Sequence, residues 1–505
     1  MRANTIIAIK DELKALRDEL FQAGDVESVA ELDFARSKLL EPMQLAIIGK
    51  ISSSKSTLVN AILGKDHVMA TGQMEVTYNV GWLKYGDPES DIIIHHKDGS
   101  EPTRKSPSEF KEWTTVGAGR EEMLNNVSYI ELFDDAEILR HINIIDTPGL
   151  DAERRQDSQN TLDFISKVRP DAVIMLYTHS IADTTLEEVK KFNGGGSFNP
   201  LNAIGVLAKM DVLWMEDPDR EQSALKIGQR LAKSKLTKEP ILRKTLFDIC
   251  PISSLMFLRA STLSEKELNI IKELVKNDAD VLPRLLRSSD RFVGDRYEVS
   301  VDNENRKWLL SSLDLYAISL LIDAVTKNSE ISLDEARELL RVESGADDFM
   351  KILHNHFGSR ADLIKFNSIY ATLLRGNAKL RSLAAKIYFN FDYEFKEYEL
   401  LNRVYNNQLD IDNETELEIF NLCGVNGTSA PQKLGLATTD EVAVVGMLDR
   451  ARARERHWRC ELNREFDPDE KQWKEIMLAS YTRLIERLQL MSYQYQQAKA
   501  FLFNR

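Results

Sequence analysis

Residues 49–56 read GKISSSKS, which combines a glycine, a lysine and hydroxyl side chains in the pattern of a phosphate-binding loop. The segment lies between a predicted strand, residues 45–48, and a predicted helix, residues 57–63. At such a position, successive backbone N–H groups and the positive end of a helix dipole bind phosphate. Lys55 is then predicted to bind the β- and γ-phosphate oxygens of a nucleotide, and the Ser56 hydroxyl to bind Mg²⁺.

The loop departs from the usual GxxxxGK(S/T) pattern, because Ser54 stands where the second glycine belongs. A backbone angle that is easy for glycine costs a serine about 1 kcal/mol at this position. The alternative interpretation is that a serine-rich turn only caps the helix that follows. The order of strand, loop and helix favours phosphate binding.

A second motif, DTPG at residues 146–149, follows the predicted strand at residues 142–145. Asp146, at the carboxyl end of that strand, can hold the water shell of Mg²⁺, and the N–H of Gly149 can reach a γ-phosphate. The two motifs therefore predict one phosphate site at the same edge of a sheet.

The loop MATGQMEVTY lies between these two motifs and contains Thr77. This residue is the candidate for the threonine that closes over Mg²⁺ and the γ-phosphate. Thr71 lies in the same loop and is an alternative, and a loop threonine can also be solvated without any function.

The segment AKMD, residues 208–211, follows a further predicted strand and favours guanine over adenine. The carboxylate of Asp211 can accept hydrogen bonds from N1–H and the 2-amino group of guanine, and the stem of Lys209 can cover the ring. Ser253 and Ser254 are placed to offer backbone N–H groups to the guanine carbonyl. Two serines after a strand are also a common structural pattern, and this alternative stays open.

Around these motifs, the apolar pattern divides the chain into three segments. Residues 1–42 have the spacing of a helical hairpin, and residues 43–262 alternate short apolar runs with helical segments, which is typical of an α/β domain with a mainly parallel sheet. Residues 263–505 have helical periodicity almost throughout. We therefore expect an α/β P-loop head inserted into an elongated all-α helical bundle, or stalk. The predicted strands are residues 45–48, 142–145, 172–177 and 203–207, with an exposed hairpin at residues 91–95.

Apolar stripes predict the packed faces of the first and last helices. They consist of Ile6, Ile9, Leu13, Leu16 and Leu20, and of Met477, Tyr481, Leu484, Leu488, Met491, Tyr495, Ala498 and Leu502. An aromatic segment, residues 388–398, is a candidate for contact with lipid headgroups, although aromatic residues in helical proteins more often form core. His354 and His356 could suggest a metal pair, but we expect none, because positions i and i+2 of a helix face apart.

Composition restricts the classes of partner. The 505 residues include 66 basic and 80 acidic side chains, a net charge of −14, which argues against nucleic acid as the partner. The three cysteines have neither metal-ligand spacing nor the pattern of a disulfide framework. We see no secretory signal and no stretch apolar enough to span a bilayer. We therefore expect a cytoplasmic protein whose membrane contact is peripheral.

In their order and helical flanks, these motifs resemble those of the dynamin-like large GTPases. Several segments are similar to the shorter isoniazid-inducible bacterial dynamin-like proteins: LEPMQLAIIG, KSTLVNAILG, DICPISSL, SSDRFV, LLSSLDLYAISLLIDAV and NGTSAPQKLGL. This resemblance covers nearly the whole chain. It implies a GTPase head on a long helical stalk, dimerisation through the nucleotide faces of the heads, and membrane binding or remodelling from the far tip of the stalk.

The resemblance also implies roles for individual residues. Ser52 matches a loop serine that helps to hold a monovalent cation, K⁺ or Na⁺, in place of an arginine finger. The implied catalytic residues are Ser52, Lys55 and Thr77, and the implied Mg²⁺ ligands are Ser56, Thr77 and Asp146. Contacts with GTP or GDP are implied for Gly49, Ser52, Ser53, Ser54, Lys55, Ser56, Thr57, Asp146, Gly149, Lys209, Asp211, Ser253 and Ser254.

Besides Ser54, three residues depart from the efficient pattern of the family. Ile51 stands where a glutamine often positions water, and Leu150 follows DTPG where many small GTPases have a glutamine. Ala208 replaces the asparagine or threonine that ties the base loop to the phosphate loop. Nucleotide binding is therefore more strongly implied than hydrolysis.

The leading hypothesis is a dynamin-like GTPase that self-assembles and acts on the inner face of a membrane, in remodelling, fission, fusion or repair. Its expected partner is a second copy, through the heads, or a second dynamin-like protein. The alternative is a nucleotide-binding regulatory subunit with weak hydrolysis that serves such a protein. A ribosome- or RNA-associated GTPase shares the head motifs, but it normally carries a basic RNA-binding appendage, which the acidic balance disfavours.

Overall fold

The computed structural model divides the chain into two compact units. One consists of Met1–Glu41 together with Ile352–Arg505, and the other, Pro42–Lys351, is inserted between these two parts. The structure describes residues 2–49, 54–66, 68–69, 79–114, 121–148, 168–178, 202–216, 222–278, 280–358, 361–405, 408–427, 429–436 and 444–503.

The inserted unit contains a mainly parallel sheet. Its described strands are β1 (Met43–Gly49), β2 (Gly81–Tyr85), β3 (Ile92–His96), β4 (Thr103–Lys105), β5 (Val127–Asp134), β6 (Ile142–Asp146), β7 (Ala172–Tyr177), β8 (Ala203–Ala208) and β9 (Ile249–Ile252). Within the described residues they form one sheet in the order β4-β3-β5-β2-β6-β1-β7-β8-β9. Strands β6, β1, β7, β8 and β9 are mutually parallel, and β2 pairs antiparallel with β6. The predicted class of sheet is confirmed.

All four predicted buried strands occur in this sheet, as β1, β6, β7 and β8. Every residue of these four strands is buried, which explains why the sequence shows continuous apolar runs there instead of alternation. The predicted hairpin is β3, which pairs antiparallel with β4 at the end of the sheet. Because β1, β6, β8 and β9 are parallel, the residues that follow them meet at one edge.

Helices account for most of the remaining described chain. They are α1 (Arg2–Gln22), α2 (Val26–Leu40), α3 (Lys55–Leu63), α4 (Phe110–Thr114), α5 (Glu121–Asn125), α6 (Met210–Glu216), α7 (Ala224–Lys238), α8 (Pro240–Thr245), α9 (Ser254–Thr262), α10 (Glu265–Leu274), α11 (Val281–Leu285), α12 (Ser289–Val293), α13 (Asn303–Ser312), α14 (Leu315–Lys327), α15 (Leu333–Glu343), α16 (Ala346–Ile352), α17 (Ala361–Leu374), α18 (Ala378–Asn390), α19 (Asp392–Tyr405), α20 (Asn413–Leu422), α21 (Ala430–Lys433), α22 (Val444–Arg464) and α23 (Pro468–Phe503). Short 3₁₀ helices occur at Pro107–Glu109 and Glu137–Arg140, and a π-helix at Leu353–Gly358.

One apolar core joins the sheet to helices well beyond residue 262, the predicted end of the head. Ile48 on β1 belongs to the same buried cluster as Leu268 on α10 and Leu340 on α15. The compact unit therefore ends at Lys351, and the predicted boundary does not coincide with an end of it. Helical periodicity could not reveal this difference, because it is the same whether a helix packs on a sheet or on other helices.

The other unit is helical, and its described part contains α1, α2 and α17 to α23. An apolar core joins α1, α2, α17 and α18. Ile9, Leu13 and Leu20 are buried in it as predicted, and Leu16 packs against it while partly exposed. The side chain of Ile6 lies outside the described residues.

The stripe predicted for the last helix is confirmed over part of its length. Its buried members on α23 are Met477, Tyr481, Leu484 and Leu488. Met491 is half exposed, so the buried part of the stripe ends before it. The side chains of Tyr495, Ala498 and Leu502 lie outside the described residues.

The aromatic segment at residues 388–398 is mainly core. Phe391, Phe395 and Tyr398 are buried, whereas Phe389 is 82% exposed. The ring of Phe391 stacks on Phe366 of α17, with their centroids 4.3 Å apart. The buried rings of this segment therefore stabilise the helical bundle, and only part of its aromatic surface is exposed to solvent.

Within the described residues, no single helix has both the length and the apolar character needed to cross a bilayer. Helices α13 and α14 meet that criterion only as a pair, and the chain bends by 108° between them. Most of the apolar side chains of α14 are buried in the core of the inserted unit.

We predict that the substitution Leu340→Ala destabilises the sheet as well as α15. Leu340 is fully buried in the shared core, so its truncation is expected to lower the free energy of unfolding by about 2–5 kcal/mol. Hydrogen exchange measured by mass spectrometry should then speed up in peptides from β1 and β6. The matched control is Val342→Ala on the same helix, where the side chain is exposed and the expected change is below about 0.5 kcal/mol. Faster exchange confined to α15 would contradict the shared core.

Candidate nucleotide-binding site

The end of β1 and the start of α3 bring Gly49 and Lys55 together. The Nζ of Lys55 donates a hydrogen bond to the carbonyl oxygen of Gly49 at 3.1 Å. The lysine is only 7% exposed, and burial lowers its pKa to about 8, while the charge of Asp146 opposes that change. A buried ammonium folded over its own loop is suited to bind an anion that enters the site.

Ser54 adopts the left-handed conformation expected of the missing glycine. Its φ is 67° and its ψ is 30°, and its side chain makes no capping bond to α3. The alternative that the serines only cap the helix is therefore not supported at this residue. Thr57 lies in the first turn of α3, next to Ser56.

The Ser56 hydroxyl donates a hydrogen bond to Oδ2 of Asp146 at 2.7 Å, so two of the three predicted metal ligands are in contact. Parallel pairing places Asp146 opposite Ile47 of β1. Burial raises the pKa of Asp146 to about 6, and Lys55 and the bond from Ser56 act against that rise.

These groups fit Mg²⁺. Oδ1 of Asp146 is buried and has no hydrogen-bond partner within the described part of the chain. A hydroxyl and a carboxylate are hard oxygen ligands of the kind that Mg²⁺ binds directly or through water. The residues present can therefore hold the metal that the motifs imply.

Thr147 is a positioning residue that the sequence analysis did not single out. It is fully buried, and its hydroxyl donates to the carbonyl oxygen of Ile47 at 2.8 Å. This bond ties the segment after β6 to β1, and so it helps to fix Asp146 beside Ser56. The DTPG motif itself contains this threonine, but the surrounding sequence does not show which carbonyl oxygen its hydroxyl contacts.

The predicted base-binding residues follow β8. Lys209 has a positive φ of 56°, and Asp211 lies in the first turn of α6. Burial raises the pKa of Asp211, while a backbone hydrogen bond within the residue and the charge of Lys209 lower it. The carboxylate is therefore held where water solvates it poorly, which strengthens any hydrogen bond it accepts from a base.

Ser253 does not have the role predicted for its backbone. Its N–H donates to the carbonyl oxygen of Ser344 at 3.1 Å, so it is not available to a guanine carbonyl. Its hydroxyl accepts from the N–H of Met256 at 3.3 Å, which makes it the N-cap of α9. The structural alternative is thus correct for Ser253. Ser254 is buried, and its hydroxyl has no partner within the described residues.

Asp314 is a second carboxylate near the base site that sequence reasoning missed. Its Oδ2 accepts a hydrogen bond from the Ser253 hydroxyl at 3.2 Å. Burial and the negative charge of Asp211 raise its pKa to about 8. The sequence assigned this residue to the stalk, so no local signal placed it here.

The other predicted site residues are Ser52, Ser53, Thr77 and Gly149, and all of them lie outside the described residues. The same holds for Ile51 and Leu150. No group of three or more His, Cys, Asp or Glu residues suited to a metal occurs within the described residues.

Comparison with known proteins agrees with this geometry. Residues 45–210 match the model of the dynamin family. The isoniazid-induced protein IniC of Mycobacterium tuberculosis is 28% identical over 443 residues, which cover 82% of this chain and 84% of that protein. Dynamin-like protein 2 of Campylobacter jejuni is 30% identical over 162 residues, which cover 32% of this chain and 25% of that protein. Residues 45–210 are thus similar to the dynamin family, and the chain is similar to IniC over most of its length.

A solved structure of an oligomerised bacterial dynamin pair also matches. It is 16% identical with a TM-score of 0.33, and the match covers 94% of this chain and 90% of that chain. A score of this size does not support a comparison of how the parts are arranged.

We predict that Ser54→Gly stabilises the protein and preserves nucleotide binding. Glycine adopts the left-handed conformation without a Cβ penalty, so the free energy of unfolding should rise by about 1 kcal/mol or slightly less. Ser54→Ala is the matched control, because it also removes the hydroxyl but keeps Cβ, and it should give no gain. Urea unfolding measures both variants. An equal loss of stability in both variants would show that the Ser54 hydroxyl, and not the left-handed backbone, is what matters at this position.

Proposed function

We propose that this protein binds GTP with Mg²⁺ at the edge formed by β1, β6 and β8, hydrolyses it, and couples hydrolysis to self-assembly at a membrane surface. The observation that carries the proposal is the hydrogen bond of 2.7 Å between the half-buried Ser56 hydroxyl and the buried carboxylate of Asp146, beside Lys55. The dynamin-family match and the similarity to IniC support the same conclusion.

The phosphate end is bound by three groups of this chain. The Lys55 ammonium can leave the Gly49 carbonyl and bind β- and γ-phosphate oxygens, which then add negative charge beside it. The Ser56 hydroxyl and the Asp146 carboxylate turn from each other to Mg²⁺ and its waters. When bound, the metal neutralises negative charge on the phosphates. The N-terminal N–H groups of α3 face the same anion.

The base end selects guanine. Asp211 can accept from N1–H and the 2-amino group, a pair of donors that adenine does not present. The stem of Lys209 can lie over the ring, and its left-handed backbone directs it away from the path of a regular helix. GTP and GDP are therefore the proposed ligands.

The remaining functional roles follow from the resemblance to the family. Thr77 and Gly149 are proposed to close over the metal and the γ-phosphate, and Ser52 to hold a monovalent cation, K⁺ or Na⁺. Assembly is proposed through the nucleotide faces of two heads, with a second copy or a second dynamin-like protein. Action is proposed at the inner face of a membrane, with the protein bound peripherally from the cytoplasm.

The first prediction here is a change of base specificity. Asp211→Asn replaces an acceptor by an amide that can donate to the 2-oxo group of xanthine. GDP affinity should fall about a hundredfold, because two charge-assisted hydrogen bonds are lost, and xanthosine diphosphate should bind more tightly than GDP. Fluorescent-nucleotide titration measures both. Asp302→Asn is the control, since it makes the same substitution at the start of another helix, where Asp302 caps α13. Unchanged GDP affinity in Asp211→Asn would contradict the assignment of the base site.

The second prediction concerns turnover. Steady-state GTP hydrolysis per molecule should rise with protein concentration, because dimerisation completes the active site, and it should require K⁺ or Na⁺. Lys55→Ala should reduce the rate to background. The control is Lys65→Ala, just beyond the other end of α3, where the lysine is paired with Asp134 and Asp135 instead.

A rate at background despite tight GTP binding would contradict the proposed hydrolysis. Turnover that appears only after mixing with a second dynamin-like protein would favour the regulatory subunit. Sedimentation with anionic liposomes tests membrane action separately, and no lipid association in any nucleotide state would contradict that part of the proposal.

A further inference from the structure

A buried asparagine on α3 holds the backbone of the chain that follows this helix. Asn60 is fully buried. Its amide nitrogen donates a hydrogen bond to the carbonyl oxygen of Met69 at 3.0 Å, and its amide oxygen accepts one from the N–H of Met69 at 2.8 Å. One side chain therefore pairs with both backbone groups of one residue, as a neighbouring strand would. The two bonds fix the position and the orientation of Met69 relative to α3.

Met69 in turn packs on the sheet at a glycine. Its side chain is buried, and a Cβ added to Gly81 would lie 2.8 Å from its terminal methyl group, Cε. The methyl group therefore occupies the space that a larger side chain would take at the start of β2. Gly81 leaves room for this close approach, and Asn60 holds the residue that makes it.

Gly81 is also the neighbour of Asp146 in the sheet. In the antiparallel pairing of β2 with β6, these two residues lie directly opposite each other. Residues in that relation point to the same face of a sheet, and their Cβ positions are about 5 Å apart. The methyl group of Met69 thus lies beside the Asp146 side chain, on the face where Asp146 accepts a hydrogen bond from the Ser56 hydroxyl.

Two connections therefore join α3 to the strands β2 and β6. One is the hydrogen bond between Ser56 and Asp146. The other runs from Asn60 through Met69 to Gly81, and we call these three residues the brace. Ser56 and Asn60 are four residues apart on α3, so they lie on one face of the helix, about one turn from each other. Both connections thus act on the same face of α3.

The two connections differ in what metal binding requires of them. The Ser56 hydroxyl and the Asp146 carboxylate are proposed to turn from each other to Mg²⁺, so their own hydrogen bond then no longer sets the distance between α3 and β6. The brace contains no metal ligand, and none of its contacts has to open when the metal binds. It is therefore the connection that keeps the spacing of the two ligands in the metal-bound state.

We propose that Asn60 is a positioning residue of the nucleotide site, which holds Ser56, through the brace, at the distance from Asp146 that Mg²⁺ requires. This inference rests on the proposed function of Ser56 and Asp146. Mg²⁺ requires ligands at about 2.0–2.1 Å in nearly octahedral geometry, whereas Ca²⁺ accepts about 2.3–2.6 Å in a more flexible arrangement. A site with rigidly held ligands therefore favours Mg²⁺, and a loosened site loses that preference.

The experiment measures the dissociation rate of fluorescent GDP in a stopped-flow chase at increasing concentrations of free Mg²⁺ or free Ca²⁺. The concentration at which dissociation is half slowed gives the affinity for each metal, and the readout is the ratio of the two affinities. Asn60→Ala removes both hydrogen bonds to Met69. Met69→Ala keeps those bonds, because its backbone makes them, but removes the methyl group from Gly81.

We expect Asn60→Ala to lower the affinity for Mg²⁺ about tenfold and the affinity for Ca²⁺ only about twofold, because residues that orient metal ligands contribute about 10- to 100-fold to metal affinity. Met69→Ala should shift the ratio in the same direction, and it tests the brace by itself if Asn60→Ala folds poorly. GDP affinity measured without a divalent metal should match that of the wild type in both variants.

The matched control is Leu63→Ala, which truncates another buried side chain in the last turn of α3. It should destabilise the protein as a core truncation does, without changing the ratio of Mg²⁺ to Ca²⁺ affinity. An equal shift in Leu63→Ala would overturn the inference, because any loosening of α3 would then be enough. Unchanged ratios in the folded brace variants, with tight GDP binding, would also overturn it and leave the proposed function intact. A wild type that binds no guanine nucleotide in Mg²⁺ would overturn both.

Discussion

Burial of opposite charges at one edge of the sheet is the constraint on which the nucleotide site depends. Lys55 and Asp146 are both almost completely removed from water, which lowers the pKa of the lysine to about 8 and raises that of the carboxyl to about 6. The charge of each group opposes the effect of burial on the other. Their proximity requires the parallel register in which Ile47 lies opposite Asp146, because a slip by one residue would turn the carboxylate to the other face.

The sequence predicted two kinds of feature in this arrangement. Some are local to one loop, and others follow from strands that are buried on both faces of the sheet. Strands covered on both faces give continuous apolar runs, so β1, β6, β7 and β8 were recognisable. The left-handed angle of Ser54 was predicted because loop spacing fixes the position where glycine is usual. The contact between Ser56 and Asp146 followed from two motifs at parallel strand ends.

What the sequence could not predict depends on contacts between residues far apart in the chain. The N–H of Ser253 is used by the carbonyl of Ser344, a partner that no local pattern indicates. For the same reason the sequence did not indicate that the sheet-containing unit continues to Lys351, since an amphipathic helix does not show which surface covers it. The hydroxyl of Thr147 and the carboxylate of Asp314 belong to this class, because each acts on another segment.

The two oxygens of Asp314 have separate partners, so this one side chain both begins a helix and holds a distant segment. Oδ1 accepts the N–H of Ala317 and thereby caps α14. Oδ2 accepts from the hydroxyl of Ser253, the N-cap of α9, which is 61 residues away in the chain. A carboxylate can serve both partners because each of its oxygens accepts hydrogen bonds independently, and the starts of α9 and α14 are thereby fixed to each other.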